Sequence, residues 1–216
     1  MLNVSAIAPN NSAYKRQAFS SVKLADVHVK KVDKNGKETL IPAHFTRLDP
    51  KNSPEDEKAI KFIIKKWDKN NISQMAHETA KASLIDELYG IELTDKKAPL
   101  EKRLVTFANM DKYNYINGLV VNPKYRYTPR GKREIQDCGK VMMAMLAKRA
   151  QTRDIETFSL RLWPIEDTEV KTFYYRIGME EYPKYKQFFY FKPDKMNAFI
   201  DNMNRDYKLG EINEPA

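Results

Sequence analysis

Apolar and polar residues alternate in two adjacent stretches near the beginning of the chain. The first stretch runs over 21–32, stops at the polar turn 33–36, and is followed by a second stretch over 38–48. Because alternate residues of a strand face opposite sides of a sheet, this pattern predicts a β-hairpin over about 20–48. Pro42 has no backbone N–H, so it should lie at a sheet edge or at a bulge.

The next two stretches have apolar residues at helical spacing. Ser53 and Pro54, followed by three acidic residues, have the composition of a helix start, and the apolar spacing continues to Trp67. A second helix is predicted from Ile72 to Leu88, and Gly90 is predicted to end it.

Strands and helices alternate through the rest of the chain. The predicted strands are 89–93, 103–109, 113–121, 155–163 and 187–193, and the predicted helices are 135–150, 166–178 and 195–203. This order predicts an α/β or α+β fold with a mixed central sheet flanked by helices. We expect one domain over 20–210, a flexible leader over 1–19, a C-terminal helix and a polar tail over 211–216.

Composition excludes several classes of protein. The chain has 216 residues, of which 42% are hydrophobic, enough to fill a core. Its mean hydropathy is -0.68, and no stretch approaches the roughly 18 to 20 apolar residues of a membrane span. The beginning of the chain lacks the features of a secretory signal, so we expect a soluble, cytoplasmic protein that binds no membrane. One cysteine and three scattered histidines argue against disulfide scaffolds and metal sites.

A net charge of +9 keeps nucleic-acid binding open as a hypothesis. Most basic residues are spread along the chain among acidic ones, as on a solvated helix face. One denser cluster lies in 124–133, where five Lys and Arg residues alternate with Tyr, Pro and Gly. This segment could bind an anion or simply be a mobile, solubilising loop.

Three segments in the second half of the chain carry recognisable motifs. Leu119-Val120-Val121 ends an apolar strand, Gln136-x-x-Gly139-x-Val141 opens a helix, and Phe173-Tyr174-x-x-x-Gly178 closes another. In these motifs and their order the chain resembles the GNAT superfamily of acyl-CoA-dependent N-acyltransferases over about 38–192. It departs from the family pattern in having Val141 in place of Gly or Ala, and about ten extra residues before Gln136.

The resemblance implies acetyl-CoA as cosubstrate and a primary amine as acceptor, on a small molecule or on a protein lysine or N-terminus. A helix N-terminus with a small-residue loop can bind a pyrophosphate through its N–H groups. The residues implied for this role are Gln136, Asp137, Cys138, Gly139, Lys140 and Val141. The pantetheine arm would pair with the backbone of Leu119, Val120 and Val121. Asp167 occupies a position where the family often has Asn.

Tyr174 is the catalytic residue that the resemblance implies, as the proton donor to the departing thiolate. The central strand offers Tyr115 and Asn117 but no carboxylate, so the general base is unassigned. Each assignment has a simpler alternative. Tyr174 could be a core aromatic, Gly139 a tolerated helix glycine, and Cys138 a passive residue rather than a nucleophile.

Two other functions are compatible with the sequence. The chain could be a catalytically silent binding module on the same fold, with Val141 and the missing carboxylate as signs of lost activity. It could also be a basic protein whose loop over 125–134 follows nucleic-acid phosphates. In the enzyme, the same loop could contact the 3′-phosphate of CoA or an acidic acceptor surface. The sequence leaves the oligomeric state open.

Overall fold

One mixed β-sheet organises the part of the chain that the computed structural model describes, namely residues 21–67, 87–95, 97–125, 134–153, 160–164 and 166–214. Its strands are β1 Val22–Val32, β2 Glu38–Leu48, β3 Glu87–Leu93, β4 Leu104–Met110, β5 Tyr115–Val121, β6 Ile135–Gln136, β7 Arg161–Leu162, β8 Glu180–Tyr182 and β9 Tyr185–Tyr190. They lie in the order β6-β1-β2-β3-β4-β5-β7-β9-β8. Neighbouring strands are antiparallel except β5 and β7, which are parallel.

Helices cover both faces of this sheet. The described helices are α1 Pro54–Lys66, α2 Leu100–Arg103, α3 Cys138–Gln151, α4 Thr168–Arg176 and α5 Pro193–Tyr207. On one face, Ile60 and Ile63 of α1 pack in an apolar cluster with Leu104 and Phe107 of β4. A larger cluster joins the opposite face to α3, α4 and α5. The predicted α+β fold, a mixed sheet flanked by helices, is therefore confirmed.

The predicted hairpin and the first helix are present. Val32 of β1 and Glu38 of β2 form the pair nearest the turn, so the turn lies at the polar residues 33–36, as predicted. Pro42 pairs with His28 of β1, whereas β3 begins to pair only at Ala43. Pro42 therefore lies at a local edge, as its missing N–H required. Ser53 caps α1 by accepting a hydrogen bond of 3.2 Å from the N–H of Asp56.

The predicted role of Gly90 as a helix terminator is wrong. Most of the predicted helix over 72–88 lies outside the described residues, but Leu88 and Gly90 both belong to β3. A Cβ on Gly90 would lie 2.5 Å from Cδ2 of Leu104, a fully buried residue. This glycine is needed because a neighbouring side chain approaches the strand closely, not because a helix ends there.

The helix α3 crosses the centre of the main core. Met142, Met143 and Met145 are completely buried, as predicted for a core-forming stripe. The helix begins at Cys138 rather than at Ile135. Ile135 and Gln136 instead pair with Lys31 and Lys30 of β1 as the short strand β6, which the sequence pattern did not indicate.

A buried polar cluster connects α3 to the sheet. The hydroxyl of Tyr89 accepts hydrogen bonds of 3.2 Å from both Arg149 and Arg153 and donates one to Glu87. Tyr89 is fully buried, and its ring stacks on Phe45 with centroids 5.1 Å apart. Burial and the adjacent Glu87 carboxylate raise the pKa of the Tyr89 phenol, which is therefore protonated at neutral pH.

Tyr89→Phe should lower the free energy of unfolding by about 1–3 kcal/mol. The ring and its stacking on Phe45 are retained, but Arg149 and Arg153 each lose a buried hydrogen-bond partner. Urea denaturation measures the change. Tyr113→Phe is the matched control, because Tyr113 is 55% exposed and its substitution should change stability by less than about 0.5 kcal/mol. Equal stability of the two variants would show that the buried hydroxyl contributes nothing.

The last described residues, 208–214, lie beside β1 and the end of α3. The N–H of Gly210 donates to the carbonyl oxygen of Asp26 at 2.7 Å, and the N–H of Asn213 donates to that of Leu24 at 2.8 Å. Glu211 lies 2.9 Å from Lys148, and Glu214 lies 2.7 Å from Arg149. A Cβ on Gly210 would lie 2.7 Å from the carbonyl oxygen of Asp26, so this contact requires glycine.

Candidate functional site

The parallel strands β5 and β7 separate after two residue pairs. Tyr115 pairs with Arg161 and Ile116 with Leu162, where β7 ends, while β5 continues to Val121. In the described part of the chain, no strand pairs with β5 on this side beyond Ile116. The C-terminal half of β5 therefore borders an opening in the sheet.

Backbone groups of β5 point into this opening. The N–H of Asn122 donates to the carbonyl oxygen of Val105 at 3.0 Å. Because hydrogen-bonded positions alternate in an antiparallel ladder, Val120 also bonds to β4, whereas Leu119 and Val121 direct their N–H and C=O groups away from β4. Of the three strand residues predicted to bind the pantetheine arm, two thus offer backbone partners at the opening. The side chain of Val120 packs in the cluster on the α1 face.

The N-terminus of α3 has no side-chain cap. Its N-cap residue, Asp137, has a left-handed backbone with φ 58°, and its carboxylate accepts no hydrogen bond from a backbone N–H of the first turn. That carboxylate accepts a hydrogen bond of 2.5 Å from the Tyr207 hydroxyl and lies 3.2 Å from Nζ of Lys140. Burial raises the pKa of Asp137, but these two partners outweigh it and hold the pKa below its usual value. The side chain of the N-cap residue therefore does not occupy the first N–H groups of α3.

Gly139 brings the three sequence motifs together. A Cβ on this residue would lie 3.5 Å from Cγ2 of Val121 and 3.6 Å from Cζ of Phe173. These are ordinary van der Waals distances, so the start of α3 contacts both the end of β5 and the middle of α4. The predicted cofactor segments and the predicted catalytic helix are therefore neighbours in the fold.

Tyr174 lies on the buried side of α4. Its ring centroid is 5.2 Å from that of Phe173, which contacts Gly139. It is 5.9 Å from the ring centroid of Phe189, a residue of β9 that pairs with Leu162 of β7. Burial raises the pKa of the Tyr174 phenol, which is therefore protonated at neutral pH. No described residue shares a hydrogen bond with its hydroxyl. Tyr175, the next residue, is half exposed and packs edge-on against Phe189.

The remaining predicted site residues have structural contacts of their own. Asp167 caps α4, accepting hydrogen bonds of 2.8 and 3.1 Å from the N–H groups of Glu169 and Val170. Cys138 and Val141 are buried in the core. Gln136 pairs with Lys30 in β6. Cofactor contacts of these four residues stay predictions.

No general base is evident at the predicted positions. Tyr115 stacks on Phe188 with centroids 5.8 Å apart, and burial raises the pKa of its phenol, so it holds its proton. Asn117 does not titrate. Among the described residues, no group of His, Cys, Asp and Glu side chains could hold a metal ion. None of the described helices is long and apolar enough to span a bilayer.

Two features beside the site were not anticipated from the sequence. The hydrogen bond between Asp137 and Tyr207 joins residues that are far apart in the chain, so no local pattern indicates it. A cleft of about 380 Å³ lies beyond the end of β5, between α1 and the segment 122–125, with Phe62, Trp67 and Tyr125 among its lining residues. Residues 126–133, which hold most of the predicted basic loop, lie outside the described residues.

Comparisons with known proteins find no match by sequence and a distant one by structure. No protein-family model matches the chain, and no curated protein sequence is similar to it. A solved structure described as the KacTA–DNA complex is a distant neighbour, with a TM-score of 0.43 and 11% identity. The match covers 67% of this chain and 86% of that one.

Proposed function

We propose that the chain is an N-acyltransferase that transfers an acetyl group from acetyl-CoA to a primary amine. The proposal rests chiefly on one arrangement: the opening between β5 and β7 lies beside the uncapped N-terminus of α3. Gly139 contacts both Val121 and Phe173 there. The amine belongs to a small molecule or to a protein lysine or N-terminus.

Binding would use backbone groups rather than charged side chains. An extended pantetheine arm carries two amides, which can pair with the outward N–H and C=O groups of Leu119 and Val121 as an added strand does. The pyrophosphate would lie at the first N–H groups of α3, where the positive end of the helix dipole favours an anion. Gly139 allows the backbone to approach that anion closely.

The chemistry requires the acceptor ammonium to lose two protons. After the first has left, the nitrogen attacks the thioester carbonyl, and the C–S bond breaks as the amide bond forms. The second proton leaves the attacking nitrogen and replaces the one that Tyr174 gives to the thiolate. Tyr174 donates its phenolic proton to the departing thiolate, since a phenol with a raised pKa is fully protonated at neutral pH. Water is the simplest acceptor of the ammonium proton, because Tyr115 and Asn117 offer no carboxylate.

Two measurements test the proposal. Isothermal titration calorimetry should show one acetyl-CoA bound per chain, and a thiol-reactive dye should detect CoA released when a panel of primary amines is added. Absence of acetyl-CoA binding would refute the proposal. Binding without thiol release from any amine would instead identify a catalytically silent module on this fold.

A further inference from the structure

Five aromatic side chains form a connected surface at one end of the sheet, which we call the aromatic face. Its members are Tyr115, Tyr182, Tyr185, Phe188 and Tyr190. The ring of Tyr182 lies 6.4 Å from that of Tyr185, 6.1 Å from that of Phe188 and 5.6 Å from that of Tyr190. Phe188 in turn stacks on Tyr115 at 5.8 Å. The rings therefore form a continuous series from β8 across β9 to β5.

This surface lies on the side of the sheet opposite α4. Tyr115, Arg161 and Tyr190 are directly paired across β5, β7 and β9, so their side chains project from the same face. Phe189 lies between Phe188 and Tyr190 in β9, so its side chain projects from the opposite face of the sheet. There it is completely buried against Tyr174 and Tyr175 of α4. Tyr182 and Tyr185 are 43% and 59% exposed. A group of large aromatic side chains exposed to solvent is typical of a binding surface.

Cations accompany these rings. Arg161 lies between Tyr115 and Tyr190 in the paired row, and Nζ of Lys184 lies 5.6 Å from the ring centroid of Tyr185. Lys186 follows Tyr185 in β9 and is exposed.

The nearby carboxylates already have partners. Glu180 lies 2.7 Å from Nζ of Lys192, and Glu166 accepts a hydrogen bond of 2.8 Å from Gln187. Glu181 pairs with Phe189, so it projects from the α4 side, where its proximity raises the pKa of the Tyr175 phenol. On the aromatic face the Glu180–Lys192 pair is neutral, and the Asp111 carboxylate near Tyr115 is offset by Arg161. Lys184 and Lys186 therefore leave an excess of positive charge beside Tyr185.

We propose that the aromatic face binds single-stranded nucleic acid. Bases would stack on the exposed rings of Tyr182 and Tyr185, while Lys184, Lys186 and Arg161 neutralise phosphates. Stacking needs unpaired bases, which distinguishes this ligand from a duplex. A second copy of the chain is a poorer occupant, because it would bring these cations opposite their own equivalents on a chain with a net charge of +9. The site is independent of acetyl transfer.

Fluorescence anisotropy of the full chain with a labelled 16-nucleotide single-stranded RNA tests this proposal. The double variant Tyr182→Ala, Tyr185→Ala should weaken binding by about ten-fold or more, because each stacked base loses its platform. Tyr185→Phe keeps the ring and should bind like the wild type. Thermal denaturation of each variant establishes that the fold is retained. Labelled duplex of the same sequence should bind more weakly than the single strand.

Salt dependence tests the phosphate contacts separately. Lys184→Gln with Lys186→Gln should reduce the slope of log K against log salt by about 1.4, the value for two lost contacts to single-stranded phosphates. Lys34→Gln with Lys37→Gln is the matched control, since it removes the same charge from the exposed β1–β2 turn. Equal slopes for the two double variants would refute the proposal. Unchanged affinity of the double-alanine variant, or a dimer that this variant dissociates, would also refute it.

Discussion

Tyr174→Phe should lower the rate of acetyl transfer by about 10²-fold or more while leaving the affinity for acetyl-CoA unchanged. The substitution removes only the hydroxyl, whose raised pKa keeps it protonated as a donor to the departing thiolate. The ring and its contacts with Phe173 and Phe189 remain, so stability should change little. Steady-state kinetics with saturating amine gives the rate, and calorimetry gives the affinity.

Tyr175→Phe is the matched control for this prediction. Tyr175 is half exposed and keeps its ring contact with Phe189 in this variant, so removal of its hydroxyl should leave the rate nearly unchanged. An inactive Tyr175→Phe with an active Tyr174→Phe would reverse the assignment of the two tyrosines. Full activity of both variants would mean that water protonates the thiolate.

Gly139→Glu should abolish measurable acetyl-CoA binding, weakening it by at least about 100-fold. The carboxylate would lie among the first N–H groups of α3, where the pyrophosphate is proposed to bind, and apposed like charges cost several kcal/mol. Its side chain would also occupy space beside Val121 and Phe173. Calorimetry of the variant with acetyl-CoA measures the effect.

Gly139→Ala separates charge from bulk at the same position. Its Cβ would make ordinary contacts of 3.5 Å with Val121 and 3.6 Å with Phe173, so the variant should fold and bind acetyl-CoA with nearly wild-type affinity. Wild-type affinity of Gly139→Glu would place the cofactor elsewhere on the chain. A large loss in Gly139→Ala would mean that the backbone at this position needs the full freedom of glycine.

Local patterns predicted the parts of the fold that local forces determine. The alternation in β1 and β2, the Ser53 cap and the core stripe of α3 follow from side-chain periodicity and hydrogen bonding within a few residues. Gly90 was misinterpreted because close approach of Leu104 leaves no trace in the neighbouring sequence. The strand β6 was missed for a related reason, since Gln136 forms it only through pairing with Lys30.

The same distinction applies to the candidate site. The sequence motifs predicted a cofactor role for Gly139 and a catalytic role for Tyr174, and the fold places Gly139 against Val121 of β5 and against Phe173, the neighbour of Tyr174. The sequence alone could not show that Leu119 and Val121, but not Val120, direct backbone groups into the opening, because that depends on the register between β5 and β4. The series of rings on the aromatic face was equally hidden, since it joins three strands that are separated in the chain.

The contact of residues 208–214 with β1 has a consequence for the order of folding. The N–H groups of Gly210 and Asn213 donate hydrogen bonds to the carbonyl oxygens of Asp26 and Leu24, which lie near the start of the described chain. During synthesis β1 therefore emerges long before its partners in this segment and in β6, and one edge stays exposed until they arrive. Such distant pairings slow folding and leave an unpaired edge open to aggregation. Lower temperature and slower expression should consequently raise the yield of soluble protein.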